Sequence, residues 1–188
     1  MIHAVLIFNT SGVPRLTKFY TPVHLSVQTL VQKIFSLVYP RPATLCNFLD
    51  APELEPFLAQ QEEGERWRVV YRNYATLYFV FVIDGAESEL GILDLIQVFV
   101  QSLDRAFENV CELDLVHHIL AEIIQGGLVL ETNVDEIDDS VQLAAKLRRD
   151  SYASSNPLAL SSGLAPRGAN MQSPFGWLTG KLTGVGAR

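Results

Sequence analysis

The sequence predicts an α+β layered domain, a five-stranded antiparallel sheet with helices on both faces. Three observations carry this reading. The apolar period changes along the chain in the order β-β-α-β-β-β followed by helices, so the strands come largely in adjacent pairs. The first strand is apolar at odd and even positions alike, which asks for cover on both faces of the sheet. The chain has 188 residues and is 48% apolar, enough for one domain with a substantial core and a remainder.

The opening "MIHAVLIFN" places Ile2, Ala4, Leu6 and Phe8 on one side and Val5 and Ile7 on the other, as in a central strand. "TSGVP" has the residues of a turn, and Arg15 to Tyr20 ("RLTKFY") alternates like a half-buried returning strand. From Val23 to Tyr39 the period is helical, with Leu30, Val31, Ile34, Leu37 and Val38 on one face, and Pro40 to Pro42 ("PRP") ends it. Thr44 to Leu49 ("TLCNFL") reads as a short strand. Asp50 to Glu65 is an acidic, proline-punctuated loop, read as the least structured part of the folded region.

Arg66 to Asn73 and Ala75 to Ile83 predict a second, strongly apolar hairpin. On its first strand Trp67, Val69 and Tyr71 face one way; Arg66, Arg68 and Arg72 face the other, toward solvent or a partner. Ser88 suits the N-cap of a helix whose stripe is Ile92, Ile96, Phe99, Leu103 and Phe107. Leu93 and Val100 widen that stripe beyond what one sheet face needs. After Leu115 a short helix carries Ile119, Leu120, Ile123 and Ile124, with Gly126-Gly127 as the stop. Thr132 or Asn133 then caps a final helix, with Asp135 and Glu136 in its first turn and Lys146, Arg148 and Arg149 in its last, complementing the dipole. Past Asp150 the composition shifts to Ser, Ala, Gly, Pro and Asn. Residues 1–150 are therefore read as the folded domain and 151–188 as a mostly disordered, solvated tail, in preference to a docking segment at "SPFGWLTGKL".

Charge and composition exclude several classes of function. A formal net charge of -7 argues against nucleic acid as the main partner. No apolar run reaches the length of a membrane span, and the start lacks the pattern of a signal peptide. Cys46 and Cys111 make no disulfide framework and are read as free thiols of a cytoplasmic chain.

The segment Glu108 to Glu122, "ENVCELDLVHHILAE", concentrates the polar chemistry. Cys111 precedes His117 by six residues with no strand–turn–helix elbow, so no nucleophile–base pair is indicated. Cys111, His117 and His118 lack zinc-ligand spacing, and adjacent histidines on a helix diverge by about 100°. No catalytic residue, metal ligand or cofactor is expected. Val110, Leu113 and Leu115 recur through the segment, and Glu112 and Asp114 alternate with the leucines as on an extended stretch. This reads as an apolar lining with a polar rim.

Five blocks then carry a resemblance: "VLIFN" at Val5 to Asn9, "GVPRLTKFY" at Gly12 to Tyr20, "YRNYATLYFVFVID" at Tyr71 to Asp84, "SELGILDLIQVFVQSLDRAFENVCELDL" at Ser88 to Leu115, and "GGLVLET" at Gly126 to Thr132. They resemble the small (sigma) chains of clathrin-associated adaptor complexes, and more the branch of adaptor-related protein complex 3 than the plasma-membrane branch. The resemblance implies a longin-like (SNARE-like) fold and a non-enzymatic small chain of a heterotetramer. Its direct partner would be a delta-type large chain, alongside a second large and a medium chain. The complex would select cargo for transport from Golgi or endosome to lysosome or vacuole, reaching the membrane only through the assembled complex.

The resemblance also implies a site for the acidic dileucine signal of cargo tails, [DE]-x-x-x-L-[LI]. Its leucine pocket would be lined by Ala75, Leu77, Val100, Val110, Leu113 and Leu115, with Asn109 at the edge, and Arg15 would meet the acidic end. In an extended peptide the acid lies about 13 Å from the first leucine, which suits one arginine set apart from one apolar pocket. On spacing alone Val100, Val110, Leu113 and Leu115 read as core packing, and Arg15 as a solvated strand arginine. There is one departure from the family pattern. A short segment usual before the "VH.ILAE" helix is missing, so Leu115 runs directly into Val116 beside the expected pocket. A competing reading is a stand-alone longin-domain regulator of membrane fusion or trafficking. The heptads and anchor expected of such a fusion protein are not found in 151–188.

Overall fold

The computed structural model describes residues 1–24, 26–42, 44–58, 66–107 and 113–155, apart from the side chains of 107, 113, 114, 149, 150 and 152–155. The chain divides into two compact units, Met1–Ala144 and Ala145–Arg188. The first holds a five-stranded sheet in the order β2-β1-β5-β4-β3, built from β1 (Ile2–Asn9), β2 (Pro14–Phe19), β3 (Phe48–Asp50), β4 (Arg68–Tyr74) and β5 (Leu77–Ile83). Every pairing in it is antiparallel. Helix α1 (Val27–Val38) covers one face; α2 (Glu89–Phe107) and α3 (Leu113–Ile123) cover the other. A small hairpin, β6 (Ile124–Gln125) and β7 (Leu128–Val129), precedes α4 (Val134–Ser155). Among the described residues no helix is long and apolar enough to cross a membrane.

Two apolar cores follow from the double-sided sheet. Leu6, Phe8, Val69, Val80 and Val82 pack on Leu30, Val31, Ile34 and Val38 of α1. Val5, Ile7, Val70, Phe79 and Phe81 pack on Ile92, Ile96 and Phe99 of α2 and on Ile119, Leu120 and Ile123 of α3. Ile2 belongs to the second core rather than with Ala4, Leu6 and Phe8, because the register shifts between Ile2 and Ala4. The extra residue, His3, forms a bulge, and one inserted residue sends its neighbours to opposite faces.

Several expected boundaries move for physical reasons. Helix α1 starts at Val27, not Val23: Val23 bridges to Leu58, and the His24 N–H donates to the Phe57 carbonyl (2.9 Å), which keeps this stretch extended. The first half of the acidic loop is therefore packed, with a 3-10 turn at Pro52–Leu54 and Leu54 and Leu58 buried; residues 59–65 of the loop lie outside the described residues. Strand β3 begins at Phe48 rather than Thr44, since Arg41 donates to the carbonyls of Cys46 (3.0 Å) and Phe48 (3.3 Å) and holds the preceding segment as a loop. Ile124 lies in β6, not on α3. Ser88 caps α2 as its sequence suggests, its Oγ accepting the Gly91 N–H (3.4 Å). At α4 the cap is Asn133, whose Oδ1 accepts the Asp135 N–H (3.0 Å), while Glu131 accepts the N–H groups of Asn133 and Thr132. Helix α4 runs on to Ser155, so Lys146, Arg148 and Arg149 precede its last turn and do not complement the dipole there.

At the open end of β1, Asp84 is almost fully buried and accepts from the Met1 ammonium (2.6 Å) and the Ala86 N–H (3.0 Å), with His3 Nε2 at 3.3 Å. Burial pushes the Asp84 carboxyl up, but the ammonium, the Ala86 N–H and His3 outweigh it and hold the group below the ordinary carboxylate range. A depressed folded value means the carboxylate stabilises the fold above its unfolded value and loses that contribution as pH falls through the folded one. Acid unfolding should therefore steepen below about pH 4, and Asp84→Asn should flatten that limb in a pH series of thermal melts. An unchanged limb in Asp84→Asn would show that other carboxylates set it.

Candidate functional site

The expected pocket falls at the tip of the β4–β5 hairpin. Tyr74 pairs with Leu77 across a two-residue turn, and Ala75 in that turn has φ 51, the left-handed region that an L-residue adopts only at a cost. The turn is tied to the end of β1 by the Thr10 N–H, which donates to the Thr76 carbonyl (3.2 Å). Ala75 is exposed; Leu77 is half-buried against the core shared by the sheet, α2 and α3.

Two side chains of β4 give the course of α2. Arg68 pairs with Glu89, and Arg72 Nη1 donates to Gln97 Oε1 (3.4 Å). Four residues of strand span about 13 Å and eight of helix about 12 Å, so α2 runs parallel to β4. Arg68 and Arg72 are thus rim contacts to α2, a more specific role than the solvent- or partner-facing one expected. Tyr74, two residues beyond Arg72 on the same face, comes beside the turn of α2 that carries Val100. Val100 is half-buried on the same core, as is Leu115 from α3. Leu77, Val100 and Leu115 are thus all partly buried against the one core shared by the sheet, α2 and α3.

The rest of the expected set stands differently. Asn109, Val110 and Cys111 lie outside the described residues. Helix α3 begins at Leu113, so Leu113 to Leu115 is helical and not the extended stretch expected. Arg15 is exposed on the edge strand β2, at the end of the sheet that also holds Leu77. It is separated from β5 by β1, about 10 Å across the sheet. Leu16 packs on the α2–α3 core, and Arg15 beside it is the extra residue of a bulge, since Ile7 pairs with Leu16 and Phe8 with Pro14.

The expected lining left out Tyr74. Its ring lies edge-on to Phe79 (5.7 Å between centroids), with the Arg72 guanidinium 5.4 Å from its centroid. Its hydroxyl is buried and has no hydrogen-bond partner; among the described residues, the one other such side-chain atom is His118 Nε2. By contrast Tyr20 donates to the Ile124 carbonyl (3.4 Å), and burial pushes its phenol up to about 12. The sequence signal for Tyr74 was its position beside Ala75, on the same strand face as Val70 and Arg72.

A second groove of about 440 Å³ lies between the start of α2 and β7, lined by Ile92, Leu95, Val98 and Val129 with Glu87 and Asp94 on its rim. Leu90, Leu128 and Leu130 are strongly exposed on these same two segments. Among the described residues no group of three or more His, Cys, Asp and Glu side chains is placed to hold a metal ion.

Sheet order and two-sided helix cover define a longin-like α+β domain. The chain belongs to the clathrin adaptor complex small chain family, whose model matches residues 1–148. It is 52% identical over 172 residues to the AP-3 complex subunit sigma of Schizosaccharomyces pombe, covering 88% of this chain and 96% of that protein. It is 48% identical over 156 residues to the AP-3 complex subunit sigma-2 of Homo sapiens, covering 79% of this chain and 77% of that protein. Its fold is similar to a chain of a homology model of the full-length AP-3 complex in a stretched open conformation, with a TM-score of 0.59 and 43% identity over 82% of this chain and 99% of that one.

Proposed function

We propose that this chain is the sigma-type small subunit of an AP-3-type heterotetrameric adaptor complex, with no enzymatic activity of its own. It stabilises the complex and binds acidic dileucine signals of cargo tails bound for the lysosome or vacuole from Golgi or endosome. The observation that carries this reading is the apolar rim of Leu77 and Val100 under a strained hairpin turn, with Arg15 on the neighbouring edge strand. The direct partner is a delta-type large chain, with the other large and medium chains completing the complex. Leu90, Leu128 and Leu130 and the groove beside them offer that partner an exposed apolar surface. The chain is cytoplasmic and peripheral, meeting Golgi, endosomal and vesicle membranes through the complex. Residues 1–150 make up the longin-like domain, whose last helix runs on to Ser155, and the remainder of 151–188 is a C-terminal tail.

Burial of two leucine side chains is worth about 3–6 kcal/mol, and ordering the tail that carries them subtracts from it. A single signal then binds at about micromolar strength or weaker, and retention comes from several contacts of one complex with one membrane. The test is binding of a fluorescent acidic dileucine peptide to this chain co-purified with a delta-type large-chain trunk, against a di-alanine control. Binding should depend on the leucines. Arg15→Ser should weaken it about 5-fold, the worth of one exposed charge contact, and that loss should shrink at high salt. Equal affinity for the two peptides would leave a scaffold subunit without a signal site.

A further inference from the structure

We infer that the C-terminal unit, from the exposed stretch of α4 onward, is an interfacial element that contacts an anionic lipid surface directly. The inference goes beyond the reading above, in which the chain meets membranes only through the assembled complex, and it departs from the expectation of a solvated tail. Its first support is charge. The unit Ala145–Arg188 carries six basic residues, Lys146, Arg148, Arg149, Arg167, Lys181 and Arg188, and a single acid, Asp150, for a formal net charge of +5. The unit Met1–Ala144 carries eight basic and 20 acidic residues, for -12. The formal charge of -7 for the whole chain hides this separation. So strong an asymmetry between two parts of one chain points to a negatively charged partner for the basic part.

The second support is α4 itself. Ile137 and Val141 are buried in the core, whereas Leu143 and Leu147, four positions apart, are 59% and 61% exposed. Lys146 and Arg148 are exposed on the same turns, and among the described residues neither is in an ion pair. A single exposed leucine is ordinary. Two at i and i+4 with cations beside them match a helix that lies in a bilayer interface, its apolar side chains below the headgroups and its basic ones among them. The sequence after α4 has the same chemistry. Phe175, Trp177, Leu178 and Leu182 surround Lys181, and no acid follows Asp150. Aromatic rings and leucines around a lysine suit the headgroup level of a membrane. An acidic protein would answer the cations alone; a lipid surface takes the cations and the apolar side chains together.

The experiment is flotation of the heterodimer with the large-chain trunk on vesicles of phosphatidylcholine, with and without phosphatidylserine. The expected result is binding to the anionic vesicles only, weakening as salt rises. Lys146→Gln, Arg148→Gln and Arg149→Gln together should lose about 10- to 100-fold in vesicle affinity, since each basic residue near an anionic surface is worth about 5-fold. Leu143→Gln with Leu147→Gln should lose about 10-fold at unchanged charge, and a chain that ends at Ser155 should lose at least as much. All three variants should keep the wild-type melting temperature and the wild-type affinity for the dileucine peptide, so failure of the signal-site reading would leave this result standing. Unchanged vesicle binding in any of the three overturns the inference. Binding lost with the basic residues but kept in the leucine variant is the result expected of an acidic protein partner.

Discussion

Gly127→Ala is expected to destabilise the fold by about 2–5 kcal/mol, and Gly126→Ala by no more than about 2. Both glycines have positive φ, +60 at Gly126 and +82 at Gly127, where a Cβ costs about 1–2 kcal/mol. They differ in what surrounds them. A Cβ at Gly126 meets nothing within 4 Å, whereas one at Gly127 would sit 2.4 Å from the Ile2 carbonyl oxygen, a backbone atom that cannot swing away. The same two residues are joined by the Ile2 N–H, which donates to the Gly127 carbonyl (2.9 Å), so relief of the clash would break the contact that docks the β6–β7 hairpin on β1. Thermal melts of the two variants, each assembled with the large-chain trunk, measure the difference. Each kcal/mol is worth roughly 2–4 °C for a chain of this size. Equal melting temperatures for the two variants would show that the hairpin does not dock there.

Val100→Asp is expected to abolish leucine-dependent peptide binding, with a loss of about 100-fold or more, or about 3 kcal/mol. Val100 is half-buried on the core, beside Tyr74 and Leu77 by the course of α2 along β4. An aspartate there brings a charge into an apolar wall, and a leucine side chain seated against it would strip the carboxylate of water without offering a partner. Because Val100 is at the rim and not in the fully buried stripe of Ile92, Ile96 and Phe99, the heterodimer should still form. Titration of the fluorescent peptide against co-purified wild-type and variant heterodimers gives the comparison. Unchanged affinity would move the pocket away from α2.

Local signals were legible where a short stretch suffices to specify the outcome. The cap at Ser88, a cap at Thr132 or Asn133 and the interior position of β1 followed from side-chain type and apolar period, whereas Gly126-Gly127, expected to stop α3, forms the β6–β7 turn because α3 already ends at Ile123. What failed locally failed for non-local reasons. Val23 and the acidic loop were misread because Val23 and Leu58 pair across 35 positions of sequence, and neither carries a mark of the other. Leu113 to Leu115 alternates with acids as a strand would, yet three residues cannot decide between a strand and the first turn of a helix.

The sequence by itself determined the layered α+β class, the order of the five main-sheet strands and the four α-helices, and the family, because period, capping and ordered motifs are written in near neighbours; it missed the β6–β7 hairpin. It also named Leu77, Val100 and Arg15, through the family resemblance and not through their spacing. Tertiary structure alone decided that His3 bulges and turns Ile2 to the other face, and that α2 runs parallel to β4. It alone left the Tyr74 hydroxyl buried without a partner at the hairpin tip. Register between strands and the seat of a helix on a sheet are set by contacts between residues far apart in the chain, so a reading of neighbours does not reach them.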